Sequence, residues 1–141
     1  MDYGDHEQEV GSIIIVIATD APLLPHQLKR LARRATMGIA RNGSYAANGS
    51  GDIFLAFSTT SPGAWRREGA AMVTSLPNDS MSPLFRAVVE ATEESVLNAM
   101  VAARTMTGIN GNTAYALPHD RLQEALRKYG RLGEQKKAAI K

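Results

Sequence analysis

Two short apolar runs with a helix-forming segment between them constrain the fold most. Residues 12–19 form a continuous run rich in β-branched side chains, and residues 52–60 form a second run. The first run, which shows no alternation, is typical of a strand buried on both faces. Apolar positions from Pro25 to Ile39 recur at helical spacing, with a proline in the first turn. The order strand, helix, strand predicts an α/β fold whose two strands are parallel.

The rest of the chain predicts two more helices. Ser82 is placed as an N-cap and Pro83 as the first residue of a long helix that reaches Arg104. A Gly/Asn-rich loop over 105–117, with a short strand at its end, leads to a compact helix over 118–129. Glycine at position 130 is expected to close that helix.

These elements predict one domain with two polar ends. We expect a flexible acidic leader over residues 1–11, a single α/β domain over 12–130, and a basic frayed tail over 131–141. A chain of 141 residues is long enough for one ordinary core. The loop at 108–112 lacks the Lys and Ser/Thr of a P-loop, so we interpret it as a connection between a helix and a strand rather than a nucleotide site.

Composition excludes several kinds of function. With no cysteine, the chain has no disulfides, thiolate catalysis or Cys-based zinc site. A net charge of +2 is too small to imply nucleic acid. The basic helix residues are interpreted as a solvated face, and the acidic residues of the long helix as solvated rather than metal ligands. The basic residues are Lys29, Arg30, Arg33 and Arg34, and the acidic residues are Glu90, Glu93 and Glu94.

Localisation is predicted from what the sequence lacks. Its longest apolar stretch is far shorter than the roughly 20 residues that span a bilayer. The acidic, polar N-terminus is unlike a signal peptide. We therefore expect a cytoplasmic protein without a membrane partner.

Small polar residues stand at the start of both apolar runs. Gly11 and Ser12 open the first run, and Ser50, Gly51 and Asp52 open the second. Because parallel neighbours begin at the same edge of a sheet, the two groups are expected to meet there. An ordinary turn before a strand also favours Ser, Gly and Asp, so this alternative stays open.

A serine nucleophile needs a group that accepts its proton. The three histidines, His6, His26 and His119, show no convincing arrangement for this role. An N-terminal serine is its own base, because an α-amine has a reference pKa of about 7.7–8.0. That chemistry requires cleavage of the Gly11–Ser12 bond, and glycine tolerates the strained backbone that such an attack needs.

The polar group at the second run completes the predicted site. Asp52 is placed to orient Ser50, and Ser50 to hydrogen-bond to the nucleophile or the leaving group. The loop aromatics Tyr45 and Trp65 either line a substrate pocket or plug the packing. No cofactor and no metal is predicted.

Long strings of the sequence resemble a known family. ATDAPLLPHQLKRLARRA and NGSGDIFLAFST, continued by EESVLNAMVAARTMTGINGNTAYALPHDRLQEAL, are similar to the C-terminal half of the DmpA/BapA family. These are L-aminopeptidase/D-amidase-esterases and β-peptidyl aminopeptidases, and the likeness covers roughly residues 11–128. The resemblance implies half of a four-layer α-β-β-α sandwich of the N-terminal-nucleophile type, related to the ornithine acetyltransferases.

The same resemblance implies roles for individual residues. Ser12 matches the autoprocessing serine that becomes the first residue of the β-chain, Ser50 matches the second catalytic serine, and Asp52 matches an acidic position that is Glu in some members. The implied activity is release of N-terminal amino acids from peptides, amides or esters.

In the family an α-chain precedes the matched half, and we interpret residues 1–11 as a short leader in its place. A separately encoded subunit, a remnant of a split gene and a fragment are all compatible with this pattern. The partner we expect is therefore such an α-chain, or a second copy of this chain, with a small peptide, amide or ester as substrate. The alternative is a catalytically silent subunit or gene remnant that works only by association. Acyl transfer is a third reading, disfavoured because the related acetyltransferases use threonine where this chain has Ser12.

Overall fold

The computed structural model describes residues 11–60, 63 and 66–133. Most of the predicted leader, most of the predicted tail, and Trp65 lie outside these residues. The chain divides into two compact units, one ending at Val96 and one beginning at Leu97. Each unit is described by itself, and the single domain over 12–130 stays a prediction. Among the described helices, none is both long enough and apolar enough to cross a membrane.

The first unit is built on a parallel strand pair, as predicted. Strand β1 (Ile14–Thr19) pairs with strand β2 (Ile53–Ser58), and Ile14 lies opposite Ile53. The connection between them carries two helices, α1 (Pro25–Ala32) and α2 (Ala35–Arg41). A crossover of this kind is what a parallel pair requires.

The predicted burial of β1 on both faces is wrong for this chain, and β2 shows the same pattern. In both strands exposed and half-buried residues alternate strictly. Ile15, Ile17, Phe54 and Ala56 face the core, whereas the alternate side chains on the other face are open. That open face carries Ile14, Val16, Ile53, Leu55 and Phe57, which are 69%, 57%, 57%, 55% and 43% exposed. We call these five side chains the open apolar face.

One helix over 25–39 was predicted, and the structure has two. The break lies at Arg33 and Arg34, where the Arg34 amide donates to the Leu31 carbonyl at 2.8 Å. The carbonyl of Arg30, its usual partner in an α-helix, instead accepts from the Arg34 guanidinium at 2.9 Å. This side chain contact tightens the turn and separates α1 from α2.

Helix α3 (Ser82–Ala102) begins one residue before the predicted first position, Pro83, ends before the predicted Arg104, and covers the core. Its Phe85 ring lies under two guanidinium groups, 3.8 Å from Arg34 and 4.9 Å from Arg30. These two arginines are therefore packed on an aromatic ring rather than solvated, unlike the exposed Lys29 and Arg33. The buried core residues lie on all three helices and directly before two of them. They are Leu23 before α1, Leu31 on α1, Ala35 on α2, Met81 before α3 and Val88 on α3.

A buried glutamine ties the segment before α3 to α1. Gln27 is 2% exposed, and its amide nitrogen donates to the Leu76 carbonyl at 2.7 Å. Its amide oxygen accepts from the Leu24 amide at 2.9 Å, at the start of α1. The side chain is thus satisfied at both ends, as a buried amide must be.

The second unit holds a short hairpin and a helix. Strands β3 (Met106–Thr107) and β4 (Thr113–Ala114) pair antiparallel, so the 108–112 loop joins two strands rather than a helix and a strand. Helix α4 (His119–Lys128) is followed by Gly130, whose φ is 62°. The Arg131 amide donates back to the Leu126 carbonyl at 2.7 Å, which closes the helix as predicted.

Candidate active site

The two polar groups predicted to meet do so at the amino ends of β1 and β2. The backbone amide of Gly51 donates to Ser12 Oγ at 2.9 Å. Ser12 and Gly51 are both exposed, so this edge of the sheet is open to solvent. The two polar groups meet because parallel pairing places the residues that precede both strands side by side.

Asp52 holds the two segments together through one carboxylate oxygen. Its Oδ1 accepts from the Ser50 hydroxyl at 2.6 Å and from the Ile13 amide at 3.0 Å. The Ile53 amide donates to the Ile13 carbonyl at 3.0 Å, which continues the strand ladder. Hydrogen bonds to a carboxylate are shorter and stronger than neutral ones. The half-buried Asp52 therefore orients Ser50 and fixes the backbone directly after Ser12.

The contacts of Ser12 and Ser50 differ. Ser12 Oγ accepts a hydrogen bond from the Gly51 amide, whereas Ser50 Oγ donates a hydrogen bond to Asp52. Gly51 lies between Ser50 and Asp52, so the three-residue segment supplies both contacts.

The histidines within the described residues occupy surface positions. His26 is exposed on α1. His119 is exposed at the start of α4, with Nε2 2.9 Å from the Val101 carbonyl oxygen. His6 lies outside the described residues.

Two of the acidic residues on α3 form ion pairs. Glu93 Oε2 lies 2.9 Å from Arg41 Nη1, and Glu90 Oε1 lies 2.7 Å from Arg86 Nε. The carboxylate of Glu90 hydrogen-bonds to Arg86 and raises the pKa of that guanidinium. Within the described ranges, no cluster of three or more His, Asp or Glu side chains is arranged to hold a metal ion.

A pocket of about 180 Å³ borders Asp52 on the side of α2. Its wall includes Ile39 and Ala40 of α2 and the loop from Ser44 to Ala46. Tyr45, predicted to line a pocket or plug the packing, is 77% exposed and belongs to this wall. Trp65, its counterpart in the prediction, lies outside the described residues.

Sequence reasoning missed two backbone groups at this site. The amide of Gly51 binds the predicted nucleophile, and the amide of Ile13 binds Asp52. Both depend on the register of the strand pair to a single residue. The available signal was the expected parallel pairing, which already set the Ser-Gly-Asp segment against Ser12.

Comparison with known proteins gives a consistent result. Residues 2–114 match the model of peptidase family S58. The β-peptidyl aminopeptidase BapA of Sphingosinicella microcystinivorans is 52% identical over 127 residues, which are 89% of this chain and 32% of that protein. BapA of Sphingosinicella xenopeptidilytica is 48% identical over 85% of this chain and 30% of its own length. The chain thus spans about a third of these relatives.

A solved structure shows the same fold. The L-aminopeptidase D-Ala-esterase/amidase of Ochrobactrum anthropi, described as a variant of the Ntn hydrolase fold, superposes with a TM-score of 0.79 at 46% identity. The match covers 90% of this chain and 36% of that one. The α/β fold class that the resemblance implied, part of an N-terminal-nucleophile-type sandwich, is confirmed. Because the family model matches residues 2–114, most of the length of this chain, the chain belongs to peptidase family S58.

Proposed function

We propose that this chain carries the nucleophile of a serine aminopeptidase or amidase that releases N-terminal amino acids from peptides, amides or esters. The observation that supports it most is the junction of two strand starts. Ser12, Ser50 and Asp52 lie at one open edge, linked by hydrogen bonds of 2.6–3.0 Å. The named activities of the similar proteins agree with this chemistry.

The first step is cleavage of the chain itself. Ser12 Oγ attacks the Gly11 carbonyl carbon and forms an ester, while the Gly11–Ser12 C–N bond breaks and the Ser12 amine takes the proton. Water then hydrolyses the ester, which leaves a carboxylate on Gly11 and restores the Ser12 hydroxyl. In this proposal Asp52 holds the Ile13 amide, so the backbone after the scissile bond stays in place.

The processed serine then acts on substrate. Its free α-amine, with a reference pKa of about 7.7–8.0, accepts the hydroxyl proton as Oγ attacks the substrate carbonyl. The substrate's leaving amine departs with a proton, and water then hydrolyses the acyl-Ser12 ester. In this proposal Ser50, whose hydroxyl donates to Asp52 at 2.6 Å, relays a proton to the leaving nitrogen.

We also propose that the open apolar face is covered in the working protein. Its five large side chains form one continuous apolar surface on adjacent strands. A contiguous exposed apolar patch marks an interaction surface. An α-chain of the same family is the expected partner, since the relatives are about three times longer, and self-association is the other occupant.

A catalytically silent subunit or gene remnant is the second candidate. The same open apolar face favours it, because a chain that needs a partner to cover its sheet can also work by association alone. Size-exclusion chromatography of the chain, with and without a co-expressed α-chain, measures whether it is a monomer, an oligomer or a complex.

The hydrolase proposal is tested with amino-acid p-nitroanilides. The chain is assayed alone and co-expressed with a family α-chain, and each is compared with a Ser12→Ala variant. We expect nitroaniline release that is abolished by Ser12→Ala and unaffected by Ser95→Ala, a matched exposed serine on α3. Activity retained in Ser12→Ala, or absent from every wild-type preparation, contradicts the assignment.

A further inference from the structure

The backbone amide of Gly51 is fixed in direction by the bonds around it. It lies 2.9 Å from Ser12 Oγ. The two residues that follow Gly51 are both bound to Ile13, because the Ile13 amide donates to Asp52 and the Ile53 amide donates to the Ile13 carbonyl, each at 3.0 Å. The amide therefore points at the hydroxyl as part of the strand junction and does not need to reorganise to do so.

The same residue leaves the hydroxyl accessible. A β-carbon built on Gly51 lies 3.4 Å from Ser12 Oγ and meets no other heavy atom within 4 Å beyond its own chain neighbours. A side chain there would contact the hydroxyl on its open side. Glycine thus donates from its backbone and keeps the approach to Ser12 free.

A donor on the hydroxyl oxygen has chemical consequences. The oxygen has two lone pairs and one proton, and the amide occupies one lone pair. A hydrogen bond to the charged form of a group favours that form. The amide therefore stabilises negative charge on Oγ when the proton leaves, and again when the acyl-Ser12 ester breaks with Oγ as the leaving group.

We propose that the Gly51 backbone N–H is a polarising donor to the Ser12 hydroxyl and a further catalytic group of this site. Its catalytic use rests on the proposed function, since only a nucleophilic Ser12 needs it. The polarisation itself is measurable without turnover, so the two proposals fail separately.

A single engineered thiol reports on the donor. The chain contains no cysteine, so a Ser12→Cys protein carries one thiol, at an exposed position. Its pKa is read from the pH dependence of alkylation by iodoacetamide. In a semisynthetic version, glycolic acid replaces Gly51 and turns the amide N–H into an ester oxygen. We expect this exchange to raise the thiol pKa by about 0.5–1 unit, as for loss of a donor to an anion at a solvated site.

Two controls isolate the hydrogen bond. An ester at Gly43, whose amide donates to the Ala40 carbonyl at 3.0 Å, removes an N–H elsewhere and leaves the thiol pKa unchanged. Gly51→Ala keeps the N–H, so the pKa stays while alkylation slows behind the added methyl. The Asp52 carboxylate, which binds the Ile13 amide at this edge, is the same in every variant.

The outcomes are distinct. A thiol pKa that does not respond to the ester at position 51 overturns the donor. A shifted pKa in a protein whose Ser12 form neither self-cleaves nor hydrolyses amides supports the donor and overturns the hydrolase. Should the ester protein fail to fold, the ¹⁵N-Gly51 amide resonance of the Ser12→Cys protein decides. We expect it to titrate with the thiol, and a resonance independent of that titration refutes the proposal.

Discussion

Gly38 is the position where α2 and α3 approach too closely for any side chain, and Gly38→Ala tests this packing. A β-carbon there would lie 2.5 Å from Thr92 Cβ and 2.7 Å from the Val89 carbonyl oxygen. Both atoms are fixed to the α3 backbone, so no rotamer change relieves the contact. To restore ordinary separation the helices must move apart by about 1 Å.

The magnitude follows from two opposing effects. Overpacking of a tight interface costs about 1–3 kcal/mol. Alanine in place of glycine within a helix returns about 0.5–1 kcal/mol. Gly38→Ala is therefore expected to lower the free energy of unfolding by about 1–2 kcal/mol. Because α2 leads into the loop that carries Ser50 and Asp52, the same shift disturbs the site.

Urea unfolding followed by circular dichroism measures the effect, with the m-value checked for constancy. Ala40→Gly is the matched control, because it lies on the exposed side of the same helix and changes helix propensity alone. It is expected to cost about 0.5–1 kcal/mol. If Gly38→Ala stabilises the protein by about the same amount, the close approach of the two helices is refuted.

Three further substitutions test other parts of the structure. Arg34→Ala loses the stack on Phe85 and the hydrogen bond that breaks the helix. In urea unfolding it should lower the free energy of unfolding by about 1–2 kcal/mol, whereas the exposed Arg33→Ala should lower it by less than about 0.5 kcal/mol. Equal effects would contradict the packing role of Arg34. Asp52→Ala loses two hydrogen bonds to a carboxylate and should lower the free energy of unfolding by about 1.5–3 kcal/mol. It should also speed amide hydrogen exchange at the start of β1, and unchanged exchange would refute this role of Asp52. Leu55→Ser should change the stability of the isolated chain by less than about 0.5 kcal/mol yet weaken its self-association or complex in sedimentation; unaltered assembly would rule out this face as the interface.

The order and type of most elements were predictable because their signals are local. Proline in the first turn of α1, Ser82 and Pro83 at the start of α3, and glycine after α4 each act through the backbone of their own residues. The break between α1 and α2 was not predictable. It depends on Arg34 bonding to a carbonyl in the preceding turn and stacking on Phe85, a residue distant in sequence.

Strand burial was misjudged for a physical reason. Both faces of β1 and β2 are apolar, so hydropathy shows no alternation although only one face packs against the core. At the site, the meeting of Ser12 with the Ser50–Asp52 segment follows from parallel pairing alone. The bond from the Ile13 amide to Asp52 does not, because it requires the register and the side chain direction together.

The central claim is that Ser12 becomes the first residue of a chain through cleavage at Gly11. Intact-mass spectrometry of the purified protein, alone and co-expressed with a family α-chain, tests it directly, with Ser12→Ala as the uncleavable control. We expect a product whose first residue is Ser12 and none from the variant. An intact Gly11–Ser12 bond in both preparations after long incubation, or cleavage that persists in Ser12→Ala, contradicts it.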